Sequence, residues 1–253
     1  KHVQRLVEGE HGLQKLEVPF LRHHPGGGHG WSFLFATPDA LTNDRLVVLL
    51  VGSGKIQAGL WAQSLCINDN IDSGSVIPYL RDIKEKGWAA VVLNPNVHEG
   101  VPIADSPEAH VDYVWEHMIK ISQARKVALV AHSYGGVSLM SLFKTQNATE
   151  VLHQLKAVAF TDSVHHVNGR FNKVPAAVKQ FLRDHAIDWV TSGEPLGTVV
   201  HDFNENKGCK CLSAGTTSHP ATNEAARPAV IDFFEMKFGE LDQEEAAAAG
   251  VSI

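Results

Sequence analysis

Cysteine is scarce in this sequence, and its three thiols cannot form a disulfide framework. Cys209 and Cys211 are separated by one residue in an apolar run, and Cys66 is distant from both. Small domains that depend on disulfides carry more cysteines, in even number. We therefore expect a protein of a reducing compartment, the cytoplasm or the nucleus, that folds on its hydrophobic core.

Long apolar runs and an excess of positive charge are also missing. No run reaches the ~18 apolar residues of a membrane span, so no contact with a membrane is expected. Lys and Arg number 22 against 28 Asp and Glu, a net charge of −6, and this disfavours direct binding of nucleic acid. No secretory signal opens the chain, but Lys1 is not a methionine, which leaves room for a targeting segment before it.

What is present indicates one α/β domain. The 253 residues are 44% hydrophobic and 20% charged, which is enough for a sizeable core. We assign residues 1–240 to this domain. Residues 241–253 are rich in alanine and glutamate without a hydrophobic face, so we expect a flexible tail there.

Apolar strands alternate with helical segments along the chain. This order predicts a mostly parallel, doubly wound sheet with helices on both faces. Residues 163–200 carry helix and turn signals but no strand of their own, and we expect them to form a small cap. The predicted strands are residues 13–20, 31–37, 45–51, 88–93, 127–132, 156–161 and 209–215, and the predicted helices include residues 56–63, 76–86 and 107–119.

The segment VALVAHSYGGV, residues 127–137, is a buried strand that runs into a sharp turn. Its A-H-S-Y-G string occupies the place of the G-x-S-x-G nucleophile elbow of α/β-hydrolases, with Ser133 as the nucleophile. A small residue is needed two positions before and two after the serine, and Ala131 and Gly135 meet that need. His132 is expected to pack beside the turn.

Polar residues at the ends of later strands complete a candidate catalytic triad. Asp162 follows one predicted strand and His219 follows the last, in the Ser, Asp, His order of α/β-hydrolases. His219 would act as the base for Ser133 and Asp162 would orient it. Other residues remain open as the acid or the base: Asp188, Asp202, His165 and His166.

An oxyanion would need backbone donors near Ser133. The N–H groups of Tyr134 and of Gly52 or Ser53, in the turn after the first buried strand, are the natural pair. The chemistry needs no cofactor.

We predict no metal site. His23, His24 and His29 surround a glycine-rich loop without a supporting carboxylate or thiolate, and Cys209 and Cys211 are better explained by core packing. Residues 68–74 resemble a calcium loop, but the glycine is misplaced for an EF-hand, so this interpretation is rejected.

Several strings together resemble the domain family of argonaute-binding protein two, over residues 30–235. A similar domain follows the catalytic part of some class II histone deacetylases. The strings are ALTN (40–43), GSG (52–54), INDNIDSGSVIP (67–78), VLNPN (92–96), HVDYVWEHMI (110–119), AHSYGG (131–136), FTDSVHHV (160–167), WVTSGEPL (189–196) and SAGTTSHP (213–220).

The resemblance implies an α/β-hydrolase fold in proteins better known as scaffolds of RNA-silencing, splicing and chromatin complexes. It places Ser133, Asp162 and His219 on the family's triad-like positions. Two departures stand out, namely Val51 where relatives have a histidine, and a short stretch at residues 97–106 where some carry a long charged insertion. Two hypotheses follow, a serine hydrolase that acts on a small acyl substrate and a catalytically inactive module that binds protein partners.

Overall fold

A nine-stranded sheet organises the part of the chain that the computed structural model describes, residues 1–20, 32–97, 104–168 and 174–248. The strands lie in the order β1-β2-β4-β3-β5-β6-β7-β9-β8. Their bounds are β1 (Gln14–Val18), β2 (Ser32–Ala36), β3 (Arg45–Leu50), β4 (Ala89–Val92), β5 (Lys126–His132), β6 (Leu155–Thr161), β7 (Ala186–Val190), β8 (Val199–Asn204) and β9 (Cys209–Ser213). The pairs β1/β2, β2/β4 and β8/β9 are antiparallel, and the other neighbouring strands of this order are parallel. The predicted α/β-hydrolase type of fold, with a mostly parallel sheet, is confirmed.

Helices cover both faces of this sheet. Their bounds are α1 (His2–Gly9), α2 (Gln63–Asn68), α3 (Ile71–Gly74), α4 (Ile77–Glu85), α5 (Pro107–Val114), α6 (Gly135–Thr145), α7 (Ala148–Gln154), α8 (Ala176–His185) and α9 (Thr222–Ala248). A π-helical turn, Trp115–Ile119, continues α5, and a 3₁₀ turn, His219–Ala221, precedes α9. Among the described residues, no helix is both long and apolar enough to cross a membrane.

Two hydrophobic cores result, because successive side chains of a strand point to opposite faces. In β3, Leu46 and Val48 belong to the core that includes residues of α5 to α8, whereas Val47 and Leu49 belong to the core that includes residues of α1, α4 and α9. A fully apolar strand is therefore buried on both sides, as its composition predicts. Each such side chain stabilises the fold by about 1.5–3 kcal/mol.

The register of the parallel strands brings the two central turns together. His132, the last residue of β5, pairs with Thr161, the last residue of β6. Ser133 and Asp162 therefore follow neighbouring strands at the carboxyl edge of the sheet. In open α/β sheets this edge is where ligands bind.

The expectation that residues 163–200 contain no strand is wrong. Helix α8 is a crossover connection, and β7 is inserted in the sheet between β6 and β9. The sequence does not predict β7, because a charged residue, Asp188, lies at the centre of the strand, where it is fully buried. The charge of Asp188 is matched by Lys207, whose Nζ lies 3.4 Å from Asp188 Oδ2. Lys207 is too distant in sequence for a local pattern to reveal the match.

The flexible tail predicted from residue 241 is likewise wrong as far as Ala248, where α9 ends. Lys126 Nζ donates hydrogen bonds to Asp242 at 2.6 Å and to Glu245 at 3.0 Å, and Arg45 also pairs with Asp242. The side chain of Lys126 is only 2% exposed. Charge pairing, rather than an apolar face, therefore holds this end of the helix. Residues 249–253 lie outside the described residues.

The helix expected at residues 56–63 does not form. The chain there makes turns instead, and Gly59 adopts φ +100°, which a helix cannot accommodate. Ala58 and Trp61 are nevertheless buried in the second core. Their apolar character reflects packing of an irregular segment below the site.

Candidate active site

Ser133 occupies the turn between β5 and α6 in a conformation that is rare for a residue with a side chain. Its φ is +51°, in the left-handed region. The following helix lies very close to β3, because a Cβ on Gly135 would come within 2.9 Å of the carbonyl oxygens of Leu50 and Val51. Glycine at this position allows the tight approach. The turn raises Ser133 at the carboxyl edge of the sheet.

Backbone hydrogen bonds fix this turn. The N–H of Ser133 donates to Thr161 O at 3.1 Å, and its carbonyl accepts from Val164 N at 3.2 Å and from Gly136 N at 3.3 Å. The bonds with Thr161 and Val164 tie the turn to the end of β6 and to the segment that follows it. The position of Ser133 is therefore coupled to that of Asp162.

The loop after β3 lies directly beside Ser133. A Cβ on Gly52 would stand 3.0 Å from Ser133 Cβ and 3.5 Å from Ser133 Oγ. Asn96 clamps the loop, since its Nδ2 donates to Gly52 O at 2.7 Å and Ile56 O at 2.9 Å while its Oδ1 accepts from Gly54 N at 3.2 Å. Val51 is buried in the second core and takes no part in this clamp. The amide of Asn96 supports the loop without a histidine at position 51.

Three backbone N–H groups in the turns around Ser133 have no hydrogen-bond acceptor among the described residues. In the hydrogen bonds found across the described residues, the N–H groups of Gly52, Ser53 and Tyr134 are not used as donors. Such groups can bind an anion that forms on a substrate. Their role as oxyanion donors stays a prediction.

Asp162 and His219 are in direct contact. His219 Nδ1 lies 2.6 Å from Asp162 Oδ2, and Asp162 Oδ1 accepts from the N–H of Thr191 at 3.2 Å and from its hydroxyl at 3.3 Å. Asp162 adopts φ +46°. Because the carboxylate faces Nδ1, the proton of a neutral His219 lies on Nδ1 and the lone pair lies on Nε2.

Among the contacts of the described residues, no hydrogen bond joins Ser133 to His219. The His219 ring stacks on the ring of His132, the neighbour of Ser133, with centroids 4.8 Å apart. In ligand-free structures the bond between nucleophile and base is often long and tightens only when substrate binds. The structure therefore brings Asp162 and His219 together and leaves the link to Ser133 open.

Three of the four alternative acids and bases, Asp188, His165 and Asp202, have other partners. Asp188 accepts from Ser163 N at 3.3 Å, and burial raises its pKa to about 6 against the opposing charge of Lys207. His165 is buried, with Nδ1 2.8 Å from Ser163 Oγ and Nε2 2.9 Å from the carbonyl of Lys207. Asp202 pairs with Lys210, and His166 is exposed. None of the four contacts His219 or the Ser133 hydroxyl in the described contacts.

Two further residues of the site were not found from the sequence. Thr191 and Asn96 act through hydrogen bonds to backbone and side-chain atoms that are far away in the chain. The string NPN contains Asn96, but nothing in it indicates which loop the amide holds.

The sequence contains two candidate sets of metal ligands, a group of three histidines and a pair of cysteines. His23, His24 and His29 lie outside the described residues. Within the described ranges, no cluster of three or more His, Cys, Asp or Glu side chains could hold a metal ion. Cys209 and Cys211 are buried on β9, which agrees with core packing.

Buried histidines should make the fold sensitive to acid. Burial chiefly lowers the pKa of His132 to about 4, with a contribution from His219, and that of His165 to about 3, with a contribution from Lys207. Between these values and the unfolded pKa near ~6.5, the unfolded chain binds more protons, so stability falls as the pH drops through this window.

Each of these histidines should lower the free energy of unfolding by about 2 kcal/mol at pH 5 relative to pH 7. Protonation of Asp188 in the folded chain should raise it by about 1 kcal/mol over the same change of pH. Urea unfolding at the two pH values measures the net loss, which we expect to be about 3 kcal/mol. Equal stability at pH 5 and pH 7 would show that the two rings are not buried in neutral form.

Comparison with known proteins identifies the family. The family model for the Arb2 domain matches residues 1–99 and 97–196. The chain belongs to the Arb2 family. It is 33% identical over 293 aligned positions to "Cotranscriptional regulator ARB2A homolog" from Gallus gallus, covering 92% of this chain and 68% of that protein. The human "Cotranscriptional regulator ARB2A" is 31% identical with the same coverage of both chains.

Solved structures are similar to this Arb2 domain in fold alone. "A histone deacetylase from Saccharomyces cerevisiae" superposes with a TM-score of 0.60 at 11% identity, covering 92% of this chain and 93% of that one. "Structure of the histone deacetylase Clr3" gives a TM-score of 0.59 at 13% identity, covering 94% of this chain and 37% of that one.

Proposed function

We propose that this Arb2 domain is a serine hydrolase that cleaves an ester, thioester or amide of a small acyl group. The observation that carries the proposal is the 2.6 Å contact between His219 and Asp162 beside the turn that holds Ser133. Ser133 is the nucleophile, His219 the general base and Asp162 the residue that orients it. No metal or cofactor is required for this chemistry.

The mechanism follows from the placement of protons. His219 Nε2 takes the hydroxyl proton as Ser133 Oγ attacks the carbonyl carbon, and Asp162 stabilises the imidazolium through Nδ1–H. The oxyanion accepts from the N–H of Tyr134 and of Gly52 or Ser53, each worth about 3 kcal/mol in comparable enzymes. His219 returns the proton to the leaving group, and water then hydrolyses the acyl-serine with His219 again as base.

A fluorophosphonate probe tests this proposal, because it phosphonylates serines that an adjacent base activates. We expect labelling of Ser133 in the native chain and none in Ser133→Ala. Heat-unfolded protein is the control for non-specific reaction. Absence of labelling in folded native protein would count against the hydrolase.

A second candidate is a binding module that keeps the hydrolase fold within an assembly of proteins. Two observations favour it, the absence of a hydrogen bond between Ser133 and His219 among the described contacts, and the names of the relatives, which are cotranscriptional regulators. Those names support a nuclear location and protein partners for this chain.

The two candidate functions predict different effects of Ser133→Ala on the cellular function of the protein. A module should keep its partners and its function in this variant, because the substitution removes one hydroxyl at a half-buried turn. Loss of function with every partner still bound would refute the binding module and support the hydrolase. Affinity purification of the native and variant chains compares the partners.

A further inference from the structure

The ring of His132 lies under the ring of His219, and the mechanism above gives it no role. The two ring planes are inclined by 29° at a centroid distance of 4.8 Å. His132 is buried, and Trp61 meets its ring edge-on at 6.3 Å. His219 has 46% of its side chain exposed. An exposed ring thus rests on one that the core immobilises.

Hydrogen bonding fixes the protonation of His132. Its Nδ1 lies 2.9 Å from the carbonyl oxygen of Thr161, which can only accept. Thr161 Oγ1 is 3.3 Å away, and its own proton is directed to Asn223 Oδ1 at 2.8 Å. The proton of His132 therefore resides on Nδ1. Burial keeps the ring neutral by lowering its pKa, so it does not repel His219 when that ring gains a proton.

Hydrogen bonds of Thr222 and Asn223 hold the backbone segment that carries His219. Thr222 Oγ1 donates to His219 O at 2.8 Å, and Asn223 accepts from Thr161. Asn223 is fully buried, and its carbonyl accepts from Tyr79 at 3.1 Å. The backbone at residue 219 is therefore fixed, but these bonds do not reach the imidazole.

The imidazole of His219 itself has one hydrogen bond among the described contacts, from Nδ1 to Asp162. A single hydrogen bond at Nδ1 leaves the ring plane able to change by small rotations about the Cα–Cβ and Cβ–Cγ bonds. A flat neighbour fixes the plane as well, because stacked rings favour a narrow range of separations and tilts. The direction of Nε2 depends on that plane.

We propose that His132 is a positioning residue that holds the His219 imidazole in the plane in which Nδ1 meets Asp162 and Nε2 faces Ser133. This inference rests on the proposed hydrolase function, since the value of the orientation lies in proton transfer from Ser133. The orientation itself can be measured without any reaction.

Two substitutions separate the ring from its hydrogen bond. His132→Phe keeps a flat ring against His219 and loses the donor to Thr161. His132→Asn keeps an amide donor near the position of Nδ1 and loses the ring. Circular dichroism and thermal unfolding establish that each variant is folded.

The first measurement is the downfield proton resonance of His219 Nδ1–H in the hydrogen bond to Asp162, assigned by its absence in His219→Gln. We expect it to be sharp in the native chain and in His132→Phe and broadened in His132→Asn. The second is the rate of phosphonylation at Ser133, which should fall about tenfold in His132→Asn, as for loss of an aromatic contact, and less in His132→Phe.

An unchanged resonance in His132→Asn, or equal losses in both variants, would overturn the positioning role. If His132→Asn does not fold, nuclear Overhauser contacts between the two rings in the native chain decide, and their absence overturns the proposal. If Ser133 of the native chain is not phosphonylated, the hydrolase function is refuted instead. The Nδ1–H resonance would still measure how the His219 ring is oriented.

Discussion

Asp162→Asn should lower the rate of phosphonylation at Ser133 by about 10³-fold to 10⁴-fold, as loss of the orienting carboxylate does in other serine hydrolases. The side-chain oxygen of asparagine would accept from Thr191, as Asp162 Oδ1 does now. Its NH₂ would then face His219 Nδ1 and force the proton of His219 to Nε2. The ring could no longer accept the proton of Ser133.

Asparagine is the suitable substitution because Asp162 has φ +46°, and asparagine tolerates this conformation better than most residues. An alanine would add backbone strain to the loss of charge. Unfolding in urea should show little change for Asp162→Asn. A rate equal to that of the native chain would remove Asp162 from the mechanism.

Gly135→Ala should destabilise the fold by about 2–3 kcal/mol, which is the upper part of the range for added volume in a packed core. The new methyl group would lie 2.9 Å from two backbone carbonyl oxygens, Leu50 O and Val51 O, and 3.1 Å from Leu50 Cγ. Backbone atoms of a central strand cannot move aside cheaply. Helix α6 would shift, and the turn at Ser133 would shift with it.

Gly239→Ala is the matched control, because Gly239 lies in α9 with no atom within 4 Å of an added Cβ. Alanine is favoured over glycine in a helix by about 1 kcal/mol, so this variant should be as stable as the native chain or more so. Urea unfolding compares the two. If both substitutions had the same effect, α6 would not be in close contact with β3.

The sequence predicts β1 to β6 and β9 and misses β7 and β8. Strands such as β3 and β5 are apolar throughout because helices cover both faces, and this signal is local. β8 is an edge strand with mostly exposed residues, VVHDFN, and has no such pattern. β7 contains the buried Asp188, whose match is in the turn before β9. Long-range pairing of charges cannot be read from a window of neighbouring residues.

Within the site, the residues that end the strands are predictable and their supports are not. The order Ser133, Asp162, His219 can be read from strand ends, because parallel strands deliver these ends to one edge. The clamp of Asn96 on the loop and the bonds from Thr191 to Asp162 depend on side-chain directions in folded loops. Their residue types are ordinary for turns, so composition does not distinguish them.

A crystal structure of the chain after reaction with a fluorophosphonate tests the hydrolase mechanism most directly. The mechanism predicts phosphorus bonded to Ser133 Oγ, the phosphonyl oxygen within hydrogen-bond distance of the N–H groups of Tyr134 and of Gly52 or Ser53, and His219 Nε2 facing the ester oxygen. An adduct whose phosphonyl oxygen points to solvent, with His219 turned away from Ser133, would contradict it.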